Sequence, residues 1–147
     1  MADTTDIDAI YDIIQSEFDY LDKLVGDFGR RRMAITELPQ LSRDLYLVSD
    51  IVAMTCNSGA GSWILHHQEE PGWISCSEEA FANIGHPQVS AGIRSCLAIC
   101  LAKREAVTSD DDKIPSDYII DHEHEIMRSL YTYLLKHGYD FQRGASQ

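Results

Sequence analysis

At 147 residues the chain fits one domain and is long enough to bury a core without disulfide or metal staples. An apolar content of 44% excludes disorder as the default reading, and no window approaches the run of roughly 20 apolar residues that a membrane span needs. The formal charge of −12 opposes direct contact with nucleic acid phosphates or anionic membranes and favours basic protein partners.

Met1 to Asp6 is acidic and lacks the basic start and apolar centre of a secretory signal, so a cytoplasmic location is expected. Ile7, Ile10, Tyr11, Ile14, Phe18, Leu21 and Val25 then recur at helical spacing and predict a helix over about 5–27. Thr4 or Thr5 can cap its start, and Gly26 or Gly29 can end it. Gly29-Arg30-Arg31-Arg32 reads as a short basic link. A second helix follows Thr36, with Pro39 in its first turn and Leu41, Leu45, Val48 and Val52 on one face.

Asn57-Ser58-Gly59-Ala60-Gly61 breaks that helix, because glycine tolerates positive φ and asparagine can bond its own backbone. A short helix over about 62–69 restarts at once, carrying Trp63, and Glu69-Glu70-Pro71-Gly72 signals a turn. Ser75 or Ser77 is expected to cap a helix over 77–84, closed by Gly85. Pro87 suits the start of a helix running to about Arg104, with Val89, Ile93, Leu97, Cys100 and Leu101 inward. Residues 105–116 read as an acidic loop around Asp110-Asp111-Asp112. The last helix is expected from near Ser116 to Gly138, carrying Ile119, Ile126, Leu130, Tyr133 and Leu134.

No segment alternates convincingly as a strand, and there is no repeat. The expected architecture is therefore all-α: one compact domain over 1–147, built from five to seven helices.

Four groups of residues carry candidate chemistry. On the first helix Asp8, Asp12, Asp19 and Asp22 fall within about ±40° of one line, in steps of roughly 4.5 to 10 Å. DNA phosphates advance by ~3.4 Å per nucleotide along a strand, so these carboxylates imitate some of them in imperfect register. The plainer alternative is a solvated helix face, although only Lys23 supplies the compensating charge such a face usually carries. Asp117 and Asp121, with Glu123 and Glu125, form a second acidic zone. The Asp110–Asp112 triplet lacks the spacing of a calcium loop. His66-His67 and His122-x-His124 diverge too far on a helix to chelate one ion, so no metal and no cofactor is expected. Cys56, Cys76, Cys96 and Cys100 show no Cys-x-x-Cys spacing and read as buried thiols. No Gly-x-Ser-x-Gly, phosphate-binding glycine loop or zincin motif is present, so no catalytic residue is named and an enzyme is the less favoured reading.

Three stretches occur in a suggestive order: Asn57-x-Gly59 leading into Trp63-Ile64-Leu65, then Ala80-Phe81-Ala82-Asn83-Ile84-Gly85, then Tyr131 to His137. Together they resemble the DNA-mimic protein 19 family over about residues 40–140. The first looks like a degraded form of that family's Asn-Gly-Gly-Phe-x-Gln-aromatic-aromatic motif. Ser58 replaces a motif glycine, Ala60 an aromatic, Ser62 a glutamine and His66 an asparagine. The family's polar cluster is thus retained only in part, through Asn57. The resemblance implies a helical acidic domain, and its name-giving member occupies the DNA-binding surface of a transcription factor. That role depends on surface carboxylates outside the motif.

The sequence thus leads to an acidic interaction module, a DNA mimic that occupies the DNA-binding face of a basic protein through Asp8, Asp12, Asp19, Asp22, Asp117 and Asp121. Alternatives are a small-ligand or enzymatic site at the hinge, around Asn57, Gly59, Ser62, Trp63, His66 and His67, and an immunity or antitoxin-type inhibitor. Direct nucleic acid and membrane binding are not expected, and a homodimer stays open.

Overall fold

A computed structural model describes residues 6–103 and 113–141. Seven helices account for most of these residues: α1 (Ile7–Val25), α2 (Gln40–Ser58), α3 (Ala60–His67), α4 (Trp73–Asn83), α5 (Pro87–Lys103), α6 (Lys113–Asp121) and α7 (Glu123–Lys136). The all-α expectation holds. The expected caps at Thr4 and Thr5, the Arg104 boundary and the Asp110–Asp112 triplet lie outside the described residues.

The centre of the fold is α2. Its consecutive residues Leu45, Tyr46, Leu47 and Val48 are all buried, which a helix covered on one side cannot achieve. It packs against α1, α3, α4, α6 and α7. The apolar stripe of α1 behaves as its spacing predicts: Ile10, Ile14, Leu21 and Val25 are buried, while Ile7, Tyr11 and Phe18 pack at the edge. The largest fully buried side chains are Trp63 and Phe81.

The expected basic link is a minimal hairpin. β1 (Gly26–Asp27) pairs antiparallel with β2 (Arg30–Arg31), in register Gly26 to Arg31 and Asp27 to Arg30, with Phe28-Gly29 as the turn. Two-residue strands leave no alternation to detect, so sequence periodicity cannot find them.

Glycines set two of the corners. Gly59, at φ 92°, ends α2 by donating its N–H to the Thr55 carbonyl (3.1 Å), and its own carbonyl accepts the Ser62 N–H (3.2 Å) to start α3. The free N–H of Ala60 is met by Ser116 Oγ of α6 at 3.0 Å, a cap supplied from 56 residues away. Gly72, at φ 84°, opens α4, three residues before Ser75 and five before Ser77, the expected caps. A Cβ at Gly72 would stand 2.7 Å from Thr36 Cγ2, so both backbone and space require glycine. The other end of α4 is a Schellman turn: Gly85 N–H donates to the Ala82 carbonyl (3.1 Å) and His86 N–H to Phe81 (2.8 Å).

The expected last helix is two. At His122 the backbone leaves helical geometry (φ −119°, ψ 21°), and its Nδ1 lies 2.9 Å from the Tyr118 carbonyl. The break lets α6 pack on α2, α3 and α5 while α7 turns onto α1 and α2. No proline or glycine marks it; tertiary packing overrides a continuous helical pattern. Several burial expectations also fail. Cys76 and Leu97 are only half-buried. Leu101 is 61% exposed near the end of α5, and Cys56 is exposed in the last turns of α2. Among the described residues no helix is long and apolar enough to cross a membrane.

Candidate functional site

The six aspartates on α1 and α6 are all exposed. Asp8 and Asp12 occupy the first half of α1. Asp19 accepts a bond from Gln15 Nε2 (2.9 Å), which ties two members of the face together. Asp22 differs from the others because it accepts the Tyr46 hydroxyl at 2.7 Å. Burial and that bond push the Tyr46 phenol far above its ordinary range. Asp22 also shares a recess of about 330 Å³ with Lys23, Asp27, Arg30 and Arg32. The negative face is therefore purest from Asp8 to Asp19 and mixed in sign at the end of α1.

The second acidic zone is joined to the first through Tyr11. Its hydroxyl donates to Glu123 Oε2 at the start of α7, and its ring meets His124 edge-on, with centroids 5.8 Å apart. The α6–α7 junction, with Asp121 two residues before Glu123, thus lies alongside the first half of α1. Cys56 Sγ donates to Glu123 Oε1 at 3.1 Å. Burial and that carboxylate push the Cys56 thiol up to about 11, which favours the protonated thiol near neutral pH.

The hinge residues part company. Asn57 and Ser62 are exposed, and Ser62 Oγ donates back to the Ser58 carbonyl (3.0 Å). His66 is exposed, with its ring 4.1 Å from that of Phe28 at the hairpin tip. Trp63 is 0% exposed, and its Nε1–H donates to Asp50 Oδ2 (2.9 Å). Gly59 makes the turn unaided by the Asn57 amide.

Around Trp63 stands a network that spacing does not reveal. Arg31 donates from Nε and Nη2 to Glu70 Oε2 and Oε1 at 2.6 and 2.9 Å, a two-pronged ion pair. Its guanidinium lies 4.3 Å above the Trp73 ring, and its Nη1 donates to the Gly26 carbonyl. His67 stacks flat on Trp73 (4.2 Å, 5°) and donates from Nδ1 to Glu70 Oε1 at 2.5 Å. Its Nε2 lies 3.7 Å from Asp50 Oδ2.

Burial dominates here. It pushes the His67 imidazole below its ordinary value despite the pull of Glu70, and it pushes the Asp50 carboxyl up despite the Trp63 bond. Burial also acts to raise Glu70, but the bonds from Arg31 and His67 outweigh it and hold that carboxyl down. The side chains of the network are bonded chiefly to one another, with the Gly26 carbonyl taking the remaining Arg31 bond, which is the pattern of a structural clamp. It fastens the hairpin to the α3–α4 turn.

The sequence names His67 only as part of a ligand site and treats Glu70 as a turn residue. Nothing in the spacing of Arg31, Asp50 and Glu70 could join them, since they stand on three separate elements. No group of three or more His, Cys, Asp or Glu side chains gathers to hold a metal ion among the described residues. No family model, curated protein or solved structure matches the chain.

Proposed function

We propose that the protein is an acidic interaction module whose α1 face occupies a basic surface of a partner, such as the DNA-binding face of a DNA-binding protein. The observation that supports this reading most is the exposure of Asp8, Asp12 and Asp19 on one helix face. Arg31 is committed to Glu70, and Lys23, Arg30 and Arg32 gather around Asp22 at the far end of α1. The Tyr11–Glu123 bond extends the surface toward Asp117 and Asp121. A second copy of the chain is repelled by the same face, so this surface favours a basic partner over self-association. An immunity-type inhibitor uses the same charge and differs only in the partner.

The hinge supports a ligand site less well. Its aromatic and charged groups, Trp63, His67 and Glu70, are occupied with one another, Ser62 bonds back to the Ser58 carbonyl, and Asn57 lines a different recess with Tyr11, Cys56 and Glu123. The testing experiment is affinity capture from native lysate at low and high salt, with mass spectrometry of the eluate. A basic protein retained at low salt and lost at high salt is the expected result, since exposed charge pairs are screened within about 8–10 Å at moderate ionic strength. Retention that ignores salt, or the absence of any basic partner, contradicts the reading.

A further inference from the structure

A second constellation lies away from the aspartate face, where the end of α4 meets α7. A cavity of about 530 Å³ opens there, walled by Asn83, Gly85, Arg128, Ser129, Thr132 and Lys136 among others. Ser129 lines it from the middle of α7. Behind Ser129 stands His86, only 4% exposed, with Nε2 at 3.0 Å from Ser129 Oγ. The other ring nitrogen, Nδ1, lies 2.9 Å from the Tyr118 hydroxyl of α6. A serine on a cavity wall, a histidine within hydrogen-bond reach and a third group holding the far nitrogen make up the arrangement that activates a hydroxyl nucleophile.

We propose that Ser129 is a base-assisted nucleophile that accepts acyl groups from activated esters with anionic leaving groups, with His86 as its base and Tyr118 positioning His86. With the proton on Nδ1 donated to Tyr118 Oη, Nε2 is free to accept the Ser129 hydroxyl proton. The Ser129 Oγ–acyl bond forms, the ester C–O bond breaks, and the leaving group departs with both electrons of that bond. The proton stays on Nε2.

The substrate class follows from burial. His86 meets the cavity through Ser129, so it takes a proton from the serine but hands none to the departing group. That group must leave as a stable anion, a phenolate or a phosphate, and Lys136 and Arg128, which share the cavity wall with the Glu125 carboxylate, are the cations to receive it.

The charges around His86 suit a base. Burial lowers its affinity for a proton, with His122 acting in the same direction and Glu125 opposing both. The imidazole is therefore neutral at pH 7 and ready to accept. From α4 the Phe81 carbonyl accepts the His86 backbone N–H.

The test treats the full chain with a fluorophosphonate and with p-nitrophenyl acetate, reading adducts by intact mass and peptide mapping. In the first reaction Ser129 Oγ displaces fluoride from phosphorus and His86 takes the proton. One adduct per chain on Ser129 is expected, absent in Ser129→Ala and formed about 100-fold or more slowly in His86→Gln, the lower end of what a positioned base supplies. Circular dichroism establishes that each variant is folded. If His86→Gln is not, Tyr118→Phe and the wild-type pH profile decide. Tyr118→Phe slows labelling several-fold. The wild-type rate is flat from about pH 6.5 upward and falls only at lower pH, as His86 protonates. Absence of a Ser129 adduct, an adduct on another residue, labelling unchanged in folded His86→Gln, or a rate climbing tenfold per pH unit across 6–9 overturns the proposal.

Discussion

Two regions of this molecule are rich in charge and are built on opposite principles. At the clamp, Arg31, Glu70, His67 and Asp50 are half-buried or buried, each within bonding distance of another, and set against the rings of Trp63 and Trp73. On α1, Asp8, Asp12 and Asp19 face solvent, with Gln15 as a neighbour instead of a cation. Partnered charge in a low-dielectric setting holds structure together, because breaking one bond strands the rest. Unpartnered charge at the surface contributes little to stability and is left available for association. The contrast separates the residues that keep the fold from those that define its surface, although composition alone treats all of them as acidic or basic.

Substitutions sharpen the contrast, and the largest effect belongs to the clamp's aromatic anchor. Trp63→Ala empties a fully buried site and removes the Asp50 bond, and is expected to cost about 3–5 kcal/mol in chemical denaturation. An effect below about 1 kcal/mol would mean that the clamp is not what holds the hairpin. Glu70→Gln leaves Arg31 and His67 without their shared carboxylate and is expected to cost roughly 1.5–3 kcal/mol, the range for hydrogen bonds to charged groups. Gly72→Ala forces an L side chain into left-handed backbone against Thr36 and should lower stability by roughly 1–2 kcal/mol.

The clamp also has a pH signature. His67 is harder to protonate in the folded chain than in the unfolded one, so the unfolded state takes up the extra proton as pH falls. Stability is therefore complete above about pH 6.5 and is lost as pH drops from there through the lowered folded value. Glu70, held down, adds a loss further into acid, below its ordinary carboxylate range. Asp50, held up, works the other way: its contribution is present at low pH and is lost as pH rises through its folded value. Melting His67→Phe across pH 5–7.5 should show a flatter profile than the wild type, since the titrating ring is gone. An unchanged slope would remove His67 from the account.

The smallest effect on stability belongs to the other region. Asp8, Asp12, Asp19 and Asp22 changed together to asparagine should shift stability by no more than about 0.5 kcal/mol each. The sign at Asp8 and Asp12 is expected to be stabilising, because like charges four residues apart repel on a helix. Asp22 is the exception within the set, since its carboxylate accepts the Tyr46 hydroxyl.

How far the sequence foretells this division depends on the range of the contact. The helices of α1, α2 and α5 are legible because their apolar residues recur locally, and exposure of the α1 aspartates follows from the same periodicity. The buried Trp63 is legible from the hinge that presents it. The break at His122 is not, because it satisfies packing by α1, α2 and α5 and leaves no turn residue behind. Arg31 with Glu70, 39 residues apart, and His86 with Ser129, 43 residues apart, meet only once the helices are assembled. The placement of Cys56 at Glu123 likewise depends on where α7 turns, so the chain's apolar pattern marks it as buried when it is exposed.

In the proposed function the α1 face binds while the clamp only supports. The measurement that tests it most directly is the association rate of the captured basic partner with wild type and with the quadruple asparagine variant, at low and at high salt. Charge at an interface acts chiefly on association. The expected rate is at least tenfold lower for the variant at low salt, with the two proteins converging at high salt. A variant that associates as fast as wild type at low salt would contradict it.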